Sequence, residues 1–128
     1  MSGRDAASVA VVIVNYNGGE LLGVALDGLA SQTRPPDRTI VIDNASSDGS
    51  VRGLERRLPG VEVVLSPTNL GFAAGNNLGV RMADDCEWIA LLNPDALPEP
   101  EWLEELLRTA GEHPDVAMLG SLLVLADR

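Results

Sequence analysis

The chain has 128 residues, 45% of them hydrophobic, enough for one domain with a real core. Nineteen acids against nine arginines and no lysine give a net charge of −10, which argues against nucleic acid and anionic membrane surfaces as primary partners. Only four aromatics occur, Tyr16, Phe72, Trp88 and Trp102, so the core must be aliphatic and stacking platforms for single-stranded nucleic acid are lacking.

Residues 1–8 are polar, lack an apolar signal core and are expected to be a disordered lead-in to a domain over 9–128. Val9–Asn15 is a continuous apolar strand of the kind covered on both faces, too short to cross a bilayer. Gly18 and Gly19 break it. A helix over 20–32 follows, with Leu22, Ala25, Leu26 and Leu29 on one face, and Pro35-Pro36 separate it from a strand over 39–43. Residues 50–58 predict a short Arg-rich helix closed by Pro59-Gly60, 61–66 a third strand and 71–84 a third helix. Cys86, the only cysteine, excludes an internal disulfide or thiolate cluster and fits a reducing cytosol; packing is favoured over a nucleophilic role. Residues 88–92 predict the fourth strand and 100–113 the fourth helix. Pro100 suits its first position, with Glu99, Glu101, Glu104 and Glu105 at its positive end. Trp102, Leu103, Leu106, Leu107 and Ala110 form its buried stripe, and both tryptophans are favoured as core over acceptor platforms. His113 is favoured as a C-terminal cap. A fifth strand is expected to start over 116–119. Repeated β-α units of this length imply an α/β fold with a Rossmann-like, doubly wound, mainly parallel sheet.

In such a sheet ligands gather at the carboxyl ends of the strands. The first strand ends in Asn15-Tyr16-Asn17-Gly18, whose amides and ring suit a flat base; the alternative is an Asx turn capping the next helix. Ligand contact is favoured for Tyr16, and the two readings stand level for Asn15 and Asn17. The second strand ends in Asp43-Asn44-Ala45-Ser46-Ser47-Asp48-Gly49-Ser50-Val51. Asp48 and the serines at 46, 47 and 50 are better placed to cap the helix, leaving Asp43 free to accept from a ribose or a base N–H. The glycines at 71, 75 and 79 share one helix face. Helix–sheet packing is favoured for Gly75 and Gly79, and stands level with ligand contact for Gly71. Their spacing is not the dinucleotide fingerprint, which needs a tight turn after the first strand. Asn76 and Asn77 are poor helix formers, so one of them is expected to serve the site.

The fourth strand ends in Asn93-Pro94-Asp95, a second acidic tip, with a plain turn equally open for Asp95. Two strand ends carrying carboxylates point to a nucleotide-linked ligand. Ligand and domain are both anionic, so a divalent cation bridging a carboxylate and diphosphate oxygens is expected. Hard oxygen donors imply Mg²⁺ or Mn²⁺ rather than zinc.

Val-Ile-Val-Asn-Tyr-Asn (12–17), Ile-Asp-Asn-Ala-Ser-Ser-Asp-Gly-Ser (42–50), Asn-Leu-Gly-Phe-Ala-Ala-Gly-Asn-Asn (69–77) and Leu-Leu-Asn-Pro-Asp (91–95) together resemble family 2 glycosyltransferases of the rhamnosyltransferase-like branch. The resemblance covers the chain from Val9 onward. It implies the nucleotide-binding portion of a GT-A fold and an inverting transfer from a nucleoside-diphosphate sugar, with dTDP-rhamnose as the candidate donor. The acceptor would be a glycan or lipid-linked, in cell-wall or polysaccharide synthesis, by a cytoplasmic enzyme able to lie at the inner membrane face. Asp43 then matches the acid that recognises the base and Tyr16 the nucleoside contact, and Asn15, Asn44, Gly71, Asn76 and Asn77 are expected to complete the donor site. Asp95 matches the last acid of an Asp-x-Asp metal motif whose first acid is here Asn93. Gly71 stands in a region where some relatives carry a basic residue; Arg81 is either its substitute or a solvent-facing position. The general base that must deprotonate the acceptor hydroxyl has no match before Arg128 and is expected in a portion beyond it. Two other readings compete. A nicotinamide-binding oxidoreductase domain would use Asp43 for a ribose, and a noncatalytic nucleotide-binding module is supported only by the chain's length.

Overall fold

A computed structural model describes residues 7–121. Four strands, β1 (Val9–Asn15), β2 (Arg38–Asp43), β3 (Glu62–Leu65) and β4 (Trp88–Leu91), form one sheet in the order β3-β2-β1-β4. Every pairing is parallel. The uninterrupted apolar run of β1 suits its central place, where all seven residues are buried. The register sets Asn15 beside Asp43 and Asp43 beside Leu65, so the carboxyl tips of three strands lie in a row.

Four helices cover the two faces. Helices α1 (Gly19–Ala30), α2 (Leu54–Arg57) and α4 (Trp102–Glu112) lie on one. There Leu22, Leu26, Leu29, Leu54 and Leu103 pack with Val9, Val11, Ile13 and Val41. Helix α3 (Phe72–Met82) covers the other, where Leu78 and Met82 pack with Ala10, Val12, Val14, Ile40 and Ile42. The fully buried hydrophobic residues are all aliphatic. Trp88 and Trp102 pack partly buried against the first cluster, and Cys86 against the second, where burial pushes its thiol up.

The glycines of α3 set its distance from the sheet. A Cβ on Gly79 would overlap the methyls of Val12, and one on Gly75 would stand 3.0 Å from Val14 Cγ1. Gly71 differs from its two partners. It is the N-cap, not part of the helical face, with φ +90° and open space where a Cβ would go.

Three expectations need correction. Helix α2 is confined to Leu54–Arg57, because Gly53 takes a left-handed φ of +68° and separates the helix from the turns at 50–52. Pro100 is not the first residue of α4. Glu101 is the N-cap, and the Pro100 carbonyl is turned to accept Thr33 N–H at 2.8 Å. Residues 116–119 form no strand. They pair with nothing in the sheet, and Met118 is 87% exposed. A short apolar run marks a strand only when a neighbouring edge receives its backbone hydrogen bonds. At the other end, Ala7 C=O accepts from Arg34 Nη2 at 2.7 Å and Ser8 C=O accepts Trp88 N–H at 2.9 Å; residues 1–6 of the lead-in expected over 1–8 lie outside the described residues. No helix among the described residues is long and apolar enough to cross a membrane.

Candidate functional site

Strand order brings the loops after β1, β2 and β4 to one edge, with β1 in the middle. A ladder of side-chain bonds joins the first two. Asn15 Nδ2, with its two protons, donates to Asp43 Oδ1 at 3.0 Å and to Ser50 Oγ at 2.9 Å, and Ser46 Oγ at 3.3 Å shares one of them. Ser46 Oγ accepts Asn17 N–H at 2.8 Å and donates to Asp43 Oδ1 at 2.7 Å. Ser47 N–H donates to Asn17 Oδ1 at 2.8 Å, and Gly19 N–H to Asp48 Oδ2 at 3.0 Å. Asn17 and Ala45 both take left-handed φ within these loops, at +50° and +63°. Such conformations in residues other than glycine persist only where surrounding bonds hold them.

This ladder changes the role of Asp43. Rather than standing free, it is only 4% exposed, and its two oxygens accept three hydrogen bonds, the third from Ser46 N–H at 3.2 Å. A carboxylate oxygen carries two acceptor sites, so Oδ2, with one bond, keeps one open. Asp48 is the turn and cap residue expected, but the helix end it serves is that of α1. The Ser50 hydroxyl and N–H hold its carboxyl below the usual range.

Asn15 is fully buried and does not face solvent. Its Oδ1 is buried with no hydrogen-bond partner, and a Cβ on Gly18 would overlap that atom. An orphaned amide oxygen of this kind costs about 1–3 kcal/mol. Asn44 is also buried, and its amide ties the entry of α3 to β2. Nδ2 donates to Gly71 C=O at 3.1 Å, and Oδ1 accepts Leu70 N–H at 3.2 Å. Asn76 is buried on α3 next to Gly75, whereas Asn77 is exposed. Tyr16 stands at the tip of β1 with 55% of its surface exposed, and Phe72 opens α3 with 61% exposed. Gly71 is exposed beside it.

On the other side of β1, Leu92 N–H donates to Val12 C=O at 3.1 Å and leads into Asn93-Pro94-Asp95. Pro94 Cβ would lie 3.5 Å from a Cβ on Gly18, so this loop abuts the β1–α1 turn. Asn93 and Asp95 are both exposed. Positions 43 and 95 therefore flank the same strand tip. No cluster of three or more His, Cys, Asp or Glu side chains suited to a metal occurs among the described residues. The loop offers one carboxylate and one amide oxygen. Hard but incomplete, that donor set would suit Mg²⁺ or Mn²⁺ only with further oxygen ligands supplied from outside the loop.

Sequence reasoning missed Ser46 and Ser50 as bonds to Asn15, and Gly18 as the space beside its Oδ1. Their signal, polar residues following two strand ends, becomes readable only once those strands are known to be neighbours.

The family model described as Glycosyl transferase family 2 matches residues 10–124. An N-acetylglucosaminyl-diphospho-decaprenol L-rhamnosyltransferase from Mycobacterium tuberculosis (strain ATCC 25618 / H37Rv) is 30% identical over 123 residues, covering 88% of this chain and 40% of the relative. Galactofuranosyltransferase GlfT1 from Mycolicibacterium smegmatis is 38% identical over 109 residues, 82% of this chain and 36% of the relative. Among solved structures, S. aureus TarS 1-349 in complex with UDP-GlcNAc superposes with a TM-score of 0.73 at 22% identity, over 84% of this chain and 32% of that one. The mannosyltransferase PcManGT from Pyrobaculum calidifontis, in complex with GDP-Man and Mn2+, superposes with a TM-score of 0.63 at 29% identity, over 73% and 29%. The chain thus spans about 40% or less of the length of these relatives.

Proposed function

Because this chain belongs to glycosyl transferase family 2, we propose that it is the donor-binding part of an inverting, metal-assisted glycosyltransferase of GT-A fold. The observation that carries this reading is the placing of Asp43 and the Asn93–Asp95 loop on either side of one strand tip. Asp43 Oδ2, with its open acceptor site, reads a base N–H, and exposed Tyr16 packs against the nucleoside. Gly71, Asn77 and the start of α3 border the donor, while buried Asn44 and Asn76 shape that border from beneath. Asp95 and Asn93 would hold the divalent ion, and such an ion would supply positive charge to a departing diphosphate.

The chain spans 40% of the rhamnosyltransferase it matches, and the general base of the transfer is assigned to the length of that relative which the chain does not cover. The rhamnosyl and galactofuranosyl activities named for the relatives support a cell-wall or polysaccharide role with a glycan or lipid-linked acceptor; dTDP-rhamnose as the donor is supported by the rhamnosyltransferase alone. A polyprenol-linked acceptor of the kind named for the mycobacterial relative supports a cytoplasmic enzyme working at the inner membrane face.

Calorimetric titration of UDP, dTDP, GDP and NAD⁺, each with and without Mn²⁺, tests the reading. One nucleoside diphosphate is expected to bind, more tightly with Mn²⁺. Binding of NAD⁺ alone, independent of metal, would overturn it.

A further inference from the structure

We propose that Asn15 is a positioning residue that never touches the donor and acts through Asp43, a role that rests on the base-reading function given to Asp43 above. Three observations converge on it. Asn15 is fully buried, so no ligand atom reaches it. Its Nδ2 meets three acceptors, one on Asp43 and two on the loop that follows, so a single amide group fixes both the carboxylate and the serines around it. Its Oδ1, by contrast, is buried with no partner.

The orphaned oxygen is the informative part. Asp43 accepts and cannot donate, so the amide must turn Nδ2 toward it, and Oδ1 is driven against Gly18. If the position only needed filling, an aliphatic side chain like its neighbour Val14 would do so without stranding a polar atom. The chain instead keeps an amide whose only satisfied half points at Asp43. With Asn15 Nδ2 and Ser46 Oγ both on Oδ1 and only Ser46 N–H on Oδ2, the open acceptor site is left on one defined oxygen. A base then meets a carboxylate of fixed orientation, with no rotamer left to order on binding.

The experiment is a double-mutant cycle read by titration with whichever of UDP, dTDP and GDP the unaltered chain binds best, in Mn²⁺. Asn15→Ala is expected to lower affinity on the order of tenfold, the scale of a lost hydrogen bond to a charged group. Added to Asp43→Ala, the same change is expected to have no further effect, because its route to the ligand is already gone. Thermal unfolding of each variant checks that the domain stays folded. The isosteric Asn15→Asp gives a second readout. It sets two carboxylates about 3 Å apart, which hold one proton between them. That shared proton restores a donor to Asp43 at low pH, so Asn15→Asp should bind best in acid and weaken as pH rises. Asp48 and Asp95, the other carboxylates at this edge, are common to both proteins and cancel in the comparison with the unaltered chain. Full affinity in Asn15→Ala, an additive loss on top of Asp43→Ala, or an Asn15→Asp profile parallel to the unaltered chain would each overturn the inference. Unchanged affinity in Asp43→Ala itself would remove Asp43 from base recognition, and with it both readings.

Discussion

At single residues, the polar groups of the site are bonded to each other before any ligand arrives, with Asn15 Oδ1 the exception. Asp43 and Asn44, adjacent in sequence, divide the work. Asp43 braces the loop after its own strand, whereas Asn44 braces the entry of α3. Both are buried polar groups, and such groups are stable only when bonded. Asn93 is the opposite case, an exposed amide where a second carboxylate would strengthen a cation site. Asn93→Asp is expected to lower the Mn²⁺ concentration needed for half-maximal nucleotide binding, on the order of tenfold, since cation affinity follows the number of charged ligands. Titrating Mn²⁺ at fixed nucleotide measures this, and an unaltered requirement would take residue 93 out of the metal shell. Little of this wiring was legible beforehand. The motif at 42–50 marks the right loop, but a carboxylate at a strand tip looks alike in sequence whether it faces ligand or an asparagine 28 positions earlier.

At the scale of elements, two devices fix the helices to the sheet. The first is the glycine row of α3. Alanine at 79 gains about 1 kcal/mol of helix propensity but forces a methyl into Val12, a fully buried residue of the central strand that has no room to yield. Overpacking of this kind costs about 1–3 kcal/mol, so Gly79→Ala is expected to destabilise. Gly75→Ala, with its nearest contact at 3.0 Å, should come out near neutral. Urea unfolding midpoints at constant slope give the order, and equal midpoints for the pair would refute the packing account. The second device is Gln32, which the periodicity of α1 assigns only to the helix tail. Its side chain is buried, donating to Glu99 C=O at 2.7 Å and Gly28 C=O at 3.1 Å and accepting Leu103 N–H at 3.0 Å. It thereby satisfies an N–H in the first turn of α4 that no helix can satisfy internally. Gln32→Leu is expected to cost about 2–3 kcal/mol of unfolding free energy, chiefly through that stranded donor. A loss under about 1 kcal/mol would mean water replaces the amide. The ends of α1 and α4 differ from the periodic reading for this reason, since a long-range side chain decides where their last bonds go.

Across the whole molecule, the binding edge and the opposite edge are stabilised by different means. Away from the site, Arg38 at the start of β2 makes a two-pronged contact with Glu62 of β3 at 2.9 and 2.7 Å. It also donates to Met82 C=O and Asp85 Oδ1, both at 2.7 Å, tying the end of α3 to the sheet. Hydrogen bonds from Arg38 hold the carboxyls of Glu62 and Asp85 below their ordinary values of 4.5 and 3.8. A depressed carboxylate contributes stability above its unfolded-state value and loses it as pH falls through the folded one. Protonating the other acids relieves the self-repulsion of a chain carrying −10, which acts in the opposite sense. The difference between unaltered protein and Arg38→Met isolates the network. The gap between their thermal midpoints should be full at neutral pH and close as pH drops below about 4. A gap that stays constant through that range would show that Arg38 acts by packing its stem alone. The alternating parallel architecture, the aliphatic core and the loops that carry the chemistry are all legible in the linear order of residues. Hydrophobic period, glycine and proline punctuation are local properties, and they act wherever the chain goes. Which tips are neighbours, the bracing roles of Asn15 and Asn44, and the lack of a partner strand for 116–119 among the described residues emerge from the folded chain. Each of those outcomes depends on a hydrogen bond made or withheld by residues distant in sequence, and no local pattern encodes such a bond.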